Sequence, residues 1–158
     1  MNSAEAHRIR AATAFDREGV CSLLAASSLP TVDLDSATDL CFWVAEESGQ
    51  LIATIGLERH GASGLLRSLV VSASHRRRGL GRELVAKVES AALKAEIELL
   101  VLLTETAERF FRSLGFAPVD RGYLPDEIKD SAEFRSLCPA SAVCMTKSLV
   151  SVSPRTTP

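Results

Sequence analysis

Apolar positions along the chain recur with two periods, and the switches between them mark the elements. Residues 8–12 read as a short first strand. Thr13 then caps a helix, with Asp16 three residues later approximating a capping box. Val20, Leu23 and Leu24 continue it at helical spacing. Residues 27–36 form a loop broken by Pro30. Residues 41–47 and 50–58 read as strands joined at Ser48-Gly49, a hairpin signal. A second turn spans 60–64, and 65–71 form a third long strand. A basic loop, 72–78, leads into a helix over 79–96, whose Leu80, Leu84, Val85, Val88 and Ala92 share one face. The near-continuous apolar run 97–103 fits a strand covered on both sides. A short helix over 105–114 stops at Gly115, in the position where helices favour glycine. A brief strand (116–119), a polar segment containing Pro125 and a last strand (141–149) follow. The order β-α-β-β-β-α-β-α-β-β predicts a mixed sheet with helices on both faces. We expect one domain over 1–150 and a frayed tail over 151–158.

Composition narrows the function. Hydrophobic residues make up 46% and charged residues 24% of 158 residues, enough apolar material for a sizeable core and against a disordered chain. No apolar run is long enough to span a membrane, and the first residues carry no secretory signal. Eighteen Lys+Arg against twenty Asp+Glu give a net charge of −2, which argues against bulk nucleic-acid binding. Any anion site must be built locally. Cys21, Cys41, Cys138 and Cys144 form no CxxC pair and lie in apolar surroundings. They suggest a reduced, cytoplasmic protein with buried thiols and no metal.

The local anion site has an obvious candidate. Arg76, Arg77, Arg78 and Arg82 crowd the start of the helix that opens at Gly79. A helix N-terminus carries about half a positive charge, so each added cation there is unfavourable by roughly 0.3–1 kcal/mol. The arrangement makes sense when an anion sits among the free N–H groups, with Gly79 and Gly81 permitting close approach. The spacing is neither GxGxxG, since Leu84 stands at the third glycine position, nor a P-loop, which needs GK[ST].

The run Arg76-Arg77-Arg78-Gly79-Leu80-Gly81 resembles the R/Q-x-x-G-x-G/A signature of the GNAT superfamily of acyl-CoA N-acyltransferases. Residues 104–116, TETAERFFRSLGF, resemble that family's N-x-x-A-x-x-x-Y-x-x-x-G-F segment. The element order matches from residue 8 to about 149. The resemblance implies an α/β (α+β) GNAT-like fold, a mostly antiparallel mixed sheet of about six or seven strands. It implies acetyl-CoA as cosubstrate and a small-molecule amine as acceptor. Backbone groups of Leu69 and Val71 would meet the pantetheine arm, which would lie in a splay between their strand and 97–103, and the amides from Arg76 to Arg82, through Leu80 and Gly81, would hold the pyrophosphate. Thr104 stands where the family often has Asn, and Phe111 where it often has a Tyr that protonates the leaving thiolate. Phe111 lacks that hydroxyl. Residues 29–34, 66–71 and 134–145 further resemble the branch encoded in bacterial arsenic-resistance operons, associated with acetylating amine-bearing toxic compounds, organoarsenical amino-acid analogues among them.

A protonated amine needs a base. Glu58, at the end of an apolar strand, is the first candidate catalytic residue. Glu46 and Glu47 are weaker, because of two neighbours one must face solvent. His60 reads as an exposed turn residue, and Tyr123, the only tyrosine, as a surface one. Arg67 interrupts the apolar strand 65–71 and needs a partner. It either pairs with Glu58 across the hairpin or reads an acceptor carboxylate, and we carry the second forward as the substrate-binding expectation. A noncatalytic acyl-CoA sensor and a protein acetyltransferase are the competing functions. A homodimer stays open.

Overall fold

The computed structural model describes residues 7–29, 31, 39–131, 134 and 141–150. Eleven elements build one seven-stranded sheet with helices on both faces. In chain order they are β1 (Arg8–Ala11), α1 (Arg17–Ala26), β2 (Leu40–Glu47), β3 (Gln50–His60), β4 (Ser63–Val71) and α2 (Leu80–Lys94). Then come β5 (Leu99–Thr104), α3 (Glu108–Ser113), β6 (Ala117–Pro118), α4 (Asp126–Lys129) and β7 (Val143–Ser148). The sheet order is β1-β2-β3-β4-β5-β7-β6. Every neighbouring pair is antiparallel except β4 and β5. The expected tail, 151–158, lies outside the described residues.

The start of α1 shows why the chain folds as its sequence suggests. Thr13 donates its backbone N–H to Asp16 Oδ2 at 2.7 Å, as the capping pattern requires. Arg10 on β1 then clamps Asp16 with two bonds, 2.7 and 2.9 Å, and reaches Glu46 at 3.1 Å. These bonds from Arg10 hold the Asp16 carboxyl far below the usual carboxylate range.

Two apolar layers sandwich the sheet. On one side the stripe Leu80, Leu84, Val85, Val88 and Ala92 of α2, joined by Phe111 of α3, packs on Ile55, Leu57, Leu66 and Leu102. On the other side α1 places Val20 and Leu24 against Val44 and Val70. Further along that same side Leu124 and Ile128 cover Leu65, Val101 and Cys144.

A bulge in β4 matters most for function. The β3–β4 register slips between Thr54 and Gly56, and Ser68 takes a left-handed φ of 59°. One extra residue inverts the alternation of the strand. Before it, Leu66 faces the α2 layer and Leu65 the α4 layer; after it, Leu69 and Val71 pack toward α2 and Val70 toward α1. The parallel β4–β5 ladder joins only Ser63, Gly64 and Leu65 to Leu99, Leu100 and Val101. Beyond Leu65 the two strands run on without pairing, so the sheet splits open along Leu66–Val71 of β4 and 102–104 of β5.

Several expectations need correction. Helix α3 begins at Glu108, not at 105, because the Thr104 hydroxyl accepts the Ala107 N–H at 3.0 Å and bends the chain first. Buried thiols hold for Cys144 alone among the described cysteines: Cys21 is half-buried and Cys41 exposed. Strand β1 ends opposite Trp43, which leaves Cys41 on an uncovered edge of β2. Cys138 lies outside the described residues. Neither Glu46 nor Glu47 is a solvated carboxylate; Glu46 pairs with Arg10 of β1 and Glu47 with His75.

Candidate functional site

The mouth of the split between β4 and β5 leads to the start of α2. Ser72 donates its N–H to Ile52 O on β3 at 2.8 Å. Bonding direction alternates along an antiparallel strand. Val70 and Ser72 therefore point their polar groups at β3, while Leu69 and Val71 point theirs into the split. Arg76 Nε donates to Val71 O at 3.0 Å, tying the basic loop to the strand end.

At α2 the first helical bond described runs from Glu83 N to Gly79 O, 3.0 Å. The amides of Leu80, Gly81 and Arg82 lie within the first turn and have no carbonyl one turn behind them. No side chain caps this helix. Arg77 has a φ of 67° and Gly79 one of 82°, the left-handed turns that point successive N–H groups into one concavity. Arg76, Arg77, Arg78 and Arg82 are all exposed around it. A Cβ on Gly81 would stand 3.2 Å from the edge of the Phe110 ring and 4.0 Å from Val71, so this glycine lets the helix start close against the split. These groups suit a pyrophosphate followed by an extended amide-bearing arm.

A hydrogen-bonded chain steadies the loop. His75 Nε2 lies 2.5 Å from Glu47 Oε2, and its Nδ1 lies 2.7 Å from Ser72 Oγ. Glu47 only accepts, so Nε2 donates to it and Nδ1 accepts from the serine hydroxyl. The end of β2 is thereby fastened to the turn that launches the arginines.

Thr104 ends β5 on the far side of the split, and Phe111 packs in the core beneath α2. Thr104 is half-buried and accepts from Ala107. Phe111 is buried, its ring edge-on to Phe110 at 5.0 Å and to Phe116 at 5.5 Å. Phe110, which the sequence does not single out, is the aromatic that borders Gly81.

The opposite face of the sheet carries the titratable cluster. Glu58 stands opposite Leu65 and Arg67 opposite Gly56, which makes them diagonal neighbours across β3 and β4. Arg67 donates from its guanidinium to Glu58 Oε2 at 3.2 Å, and both are buried, Arg67 at 3% and Glu58 at 6% exposure. Of the two readings of Arg67, the internal ion pair is formed. His60 is not a free turn residue. Strand β3 runs on to it, and its Nε2 lies 3.0 Å from Glu58 Oε1. Tyr123 is exposed, at 83%. A cavity of about 420 Å³ opens between α1 and β2, lined by Val20, Cys21, Leu40 and Phe42 among others. Leu40 is the cross-strand partner of Glu58. Among the described residues no group of three or more His, Cys, Asp or Glu side chains could hold a metal ion, and no helix is long and apolar enough to cross a membrane.

A family model described as "Acetyltransferase (GNAT) domain" matches residues 38–118, just over half of the chain. The chain belongs to the GNAT acetyltransferase family. Its GNAT fold also recurs in solved structures. N-acetylglutamate synthase of Neisseria gonorrhoeae, complexed with coenzyme A and N-acetyl-glutamate, superposes with a TM-score of 0.77 at 19% identity, over 92% of this chain and 35% of that one. The ribosomal-protein-S18-alanine N-acetyltransferase of Escherichia coli gives 0.72 at 16% identity, over 95% and 98%. In sequence, the chain is 35% identical to an amino-acid acetyltransferase of Pseudomonas putida over 86 residues, 53% of this chain. The match spans only 20% of that relative's length. An uncharacterised N-acetyltransferase of Chlorobaculum tepidum is 27% identical over 110 residues, 68% of this chain and 70% of that protein.

Proposed function

We propose that this GNAT protein transfers acetyl from acetyl-CoA directly to the amine of a small, amino-acid-like acceptor. One observation carries the reading: the split between β4 and β5 opens onto an uncapped, arginine-ringed helix start. An anionic, extended cosubstrate accounts for both halves of that geometry. Amides of 80–82 and the four arginines bind the pyrophosphate, and Leu69 and Val71 pair with the arm as a further strand would. Thr104 and Phe111 wall the arm on the β5 side. A backbone N–H in the split polarises the thioester carbonyl.

The acceptor approaches from the α1 face, where Glu58, His60 and Arg67 cluster and the cavity beside Leu40 offers room for a small molecule. The Pseudomonas putida relative, named an amino-acid acetyltransferase, supports an amino-acid-like acceptor. The finer reading, an organoarsenical amino-acid analogue, rests on the resemblance of residues 29–34, 66–71 and 134–145, several of which lie outside the described residues. Phe111 favours a second reading, a noncatalytic acyl-CoA sensor, because it supplies no acid for the thiolate. A free thiol has a pKa of about 8.5, so the thiolate leaves near neutral pH with little help.

The test is acetyl-CoA turnover over a panel of L-amino acids, L-glutamate first, with organoarsenical analogues and an alanine-initiated peptide as further arms. N-acetyl products are read by mass spectrometry. Acetylation of a small amine supports the proposal, acetylation of the peptide alone turns it to a protein acceptor, and tight coenzyme A binding without any product turns it to the sensor.

A further inference from the structure

We propose that His60 is the group that takes the acceptor's proton, with Glu58 as the carboxylate that orients it and Arg67 as the cation that holds Glu58. The inference rests on the acetyl-transfer reading and reassigns the base within that site. Glu58 is nearly enclosed, and its two oxygens are both engaged, Oε2 by Arg67 at 3.2 Å and Oε1 by His60 at 3.0 Å. A carboxylate held at both oxygens is fixed in place. It is a good orienting group. Because Glu58 accepts, the neutral imidazole of His60 carries its proton on Nε2, and in that form the Nδ1 lone pair is open. Among the described residues Nδ1 has no hydrogen-bond partner, and the side chain is 19% exposed, enough to meet water. The series cation, carboxylate, imidazole matches the logic by which a buried acid fixes the tautomer of a catalytic histidine.

Among the described residues the charges around His60 are few. Glu58 and Arg67 face it from β3 and β4. Arg59, next in sequence, turns its Nε to Gly61 O at 3.2 Å, and its N–H bonds Asp39 O. From α4, Glu127 lies against Gly61. The imidazolium formed during reaction is therefore balanced by Glu58, its nearest carboxylate.

The protons balance as follows. The acceptor ammonium loses one proton through a water to His60 Nδ1 and gains a lone pair. Its nitrogen forms the C–N bond while the C–S bond breaks. The second proton on that nitrogen goes to the departing sulfur, giving the free thiol. His60 then returns its proton to solvent, so one proton is released per turnover.

The experiment compares wild type, His60→Gln and Glu58→Gln with acetyl-CoA and L-glutamate, or the best acceptor of the panel, from pH 6.5 to 9.5. His60→Gln should lower acceptor kcat/KM at pH 7 on the order of a hundredfold, within the usual range for a general base, and leave the acetyl-CoA KM within about twofold. The deficit should shrink steadily as pH rises through the acceptor's own amine pKa, since a neutral amine needs no base. A loss under about threefold at pH 7, or a deficit that stays constant with pH, overturns the proposal. Imidazole 15N spectra supply a readout that needs no turnover. In wild type the proton should sit on Nε2 of His60, and Glu58→Gln should mix the tautomers. A proton on Nδ1 in wild type overturns the orienting role of Glu58. If wild type makes no product with any amine, the acetyl-transfer reading has failed, and the spectra still judge the dyad on their own.

Discussion

Replacing Arg67 by Met tests the ion pair on which the acceptor face is built. The pair is 3.2 Å long, and its side chains are 0% and 8% exposed. With an effective dielectric constant near 20 the gross attraction is about 5 kcal/mol. Desolvating two charges offsets most of that, so the pair itself adds little net stability. Removing one partner is different, because the other charge stays buried. Arg67→Met should therefore destabilise the fold by about 3–5 kcal/mol, and Glu58→Gln/Arg67→Met should recover most of the loss. Arg67→Lys keeps the charge and loses the planar fork, at a cost of about 1.5–3 kcal/mol. Urea unfolding followed by far-UV circular dichroism measures all three. A loss below about 1 kcal/mol for Arg67→Met, or additive effects in the double variant, would refute a desolvated pair. If Arg67→Lys unfolds like wild type but raises the acceptor KM well above any change in acetyl-CoA KM, the guanidinium reads the acceptor instead.

Glu47→Gln loosens the strut from β2 to His75, so the acetyl-CoA KM should rise several-fold with kcat nearly unchanged; a fall in kcat alone would place Glu47 in the chemistry. Asp16 has its carboxyl held well below its ordinary 3.8 by the bonds from Arg10, so its stabilisation is fully present above pH 4 and is lost as pH falls further. The melting temperature of wild type should therefore exceed that of Asp16→Asn at pH 7, and the gap should narrow as pH falls from 4 toward 2; a gap that stays constant over that range contradicts the clamp. Burial pushes the Cys144 thiol up to about 11, so iodoacetamide at pH 8 should label Cys41 and spare Cys144 until the chain unfolds, as peptide mapping can show.

The strands and the long helix were legible because their signals are local. Ser48-Gly49 marks its hairpin, and five apolar residues at helical spacing mark α2. The arginine-ringed helix start was legible for the same reason, since four arginines there contradict the helix's own field. Helix α4 is only four residues long, too short for a period to show. The split between β4 and β5 was implied by the family resemblance alone, because both segments are simply apolar runs; it arises from the slip at Ser68, a residue that carries no bulge signal of its own. His60 was passed over because a lone histidine beside Gly61 looks like a turn residue. Its place becomes visible only when β3 extends to it and sets it on the same face as Glu58, two residues back. Phe110 was hidden by its neighbour Phe111, since sequence alone does not say which ring of the pair turns toward Gly81.

The central claim is that acetyl-CoA is held at the start of α2, and calorimetric titration of coenzyme A into wild type and Gly81→Asp tests it most directly. An acidic residue in a first helical turn favours the helix by roughly 0.3–1 kcal/mol, so the variant should fold. Its carboxylate would occupy the close approach beside Phe110 and repel a pyrophosphate. Wild type should bind coenzyme A, and Gly81→Asp should bind it at least tenfold more weakly, a loss of about 1.4 kcal/mol or more. Equal affinities in the two proteins, or no binding to wild type, would contradict the account.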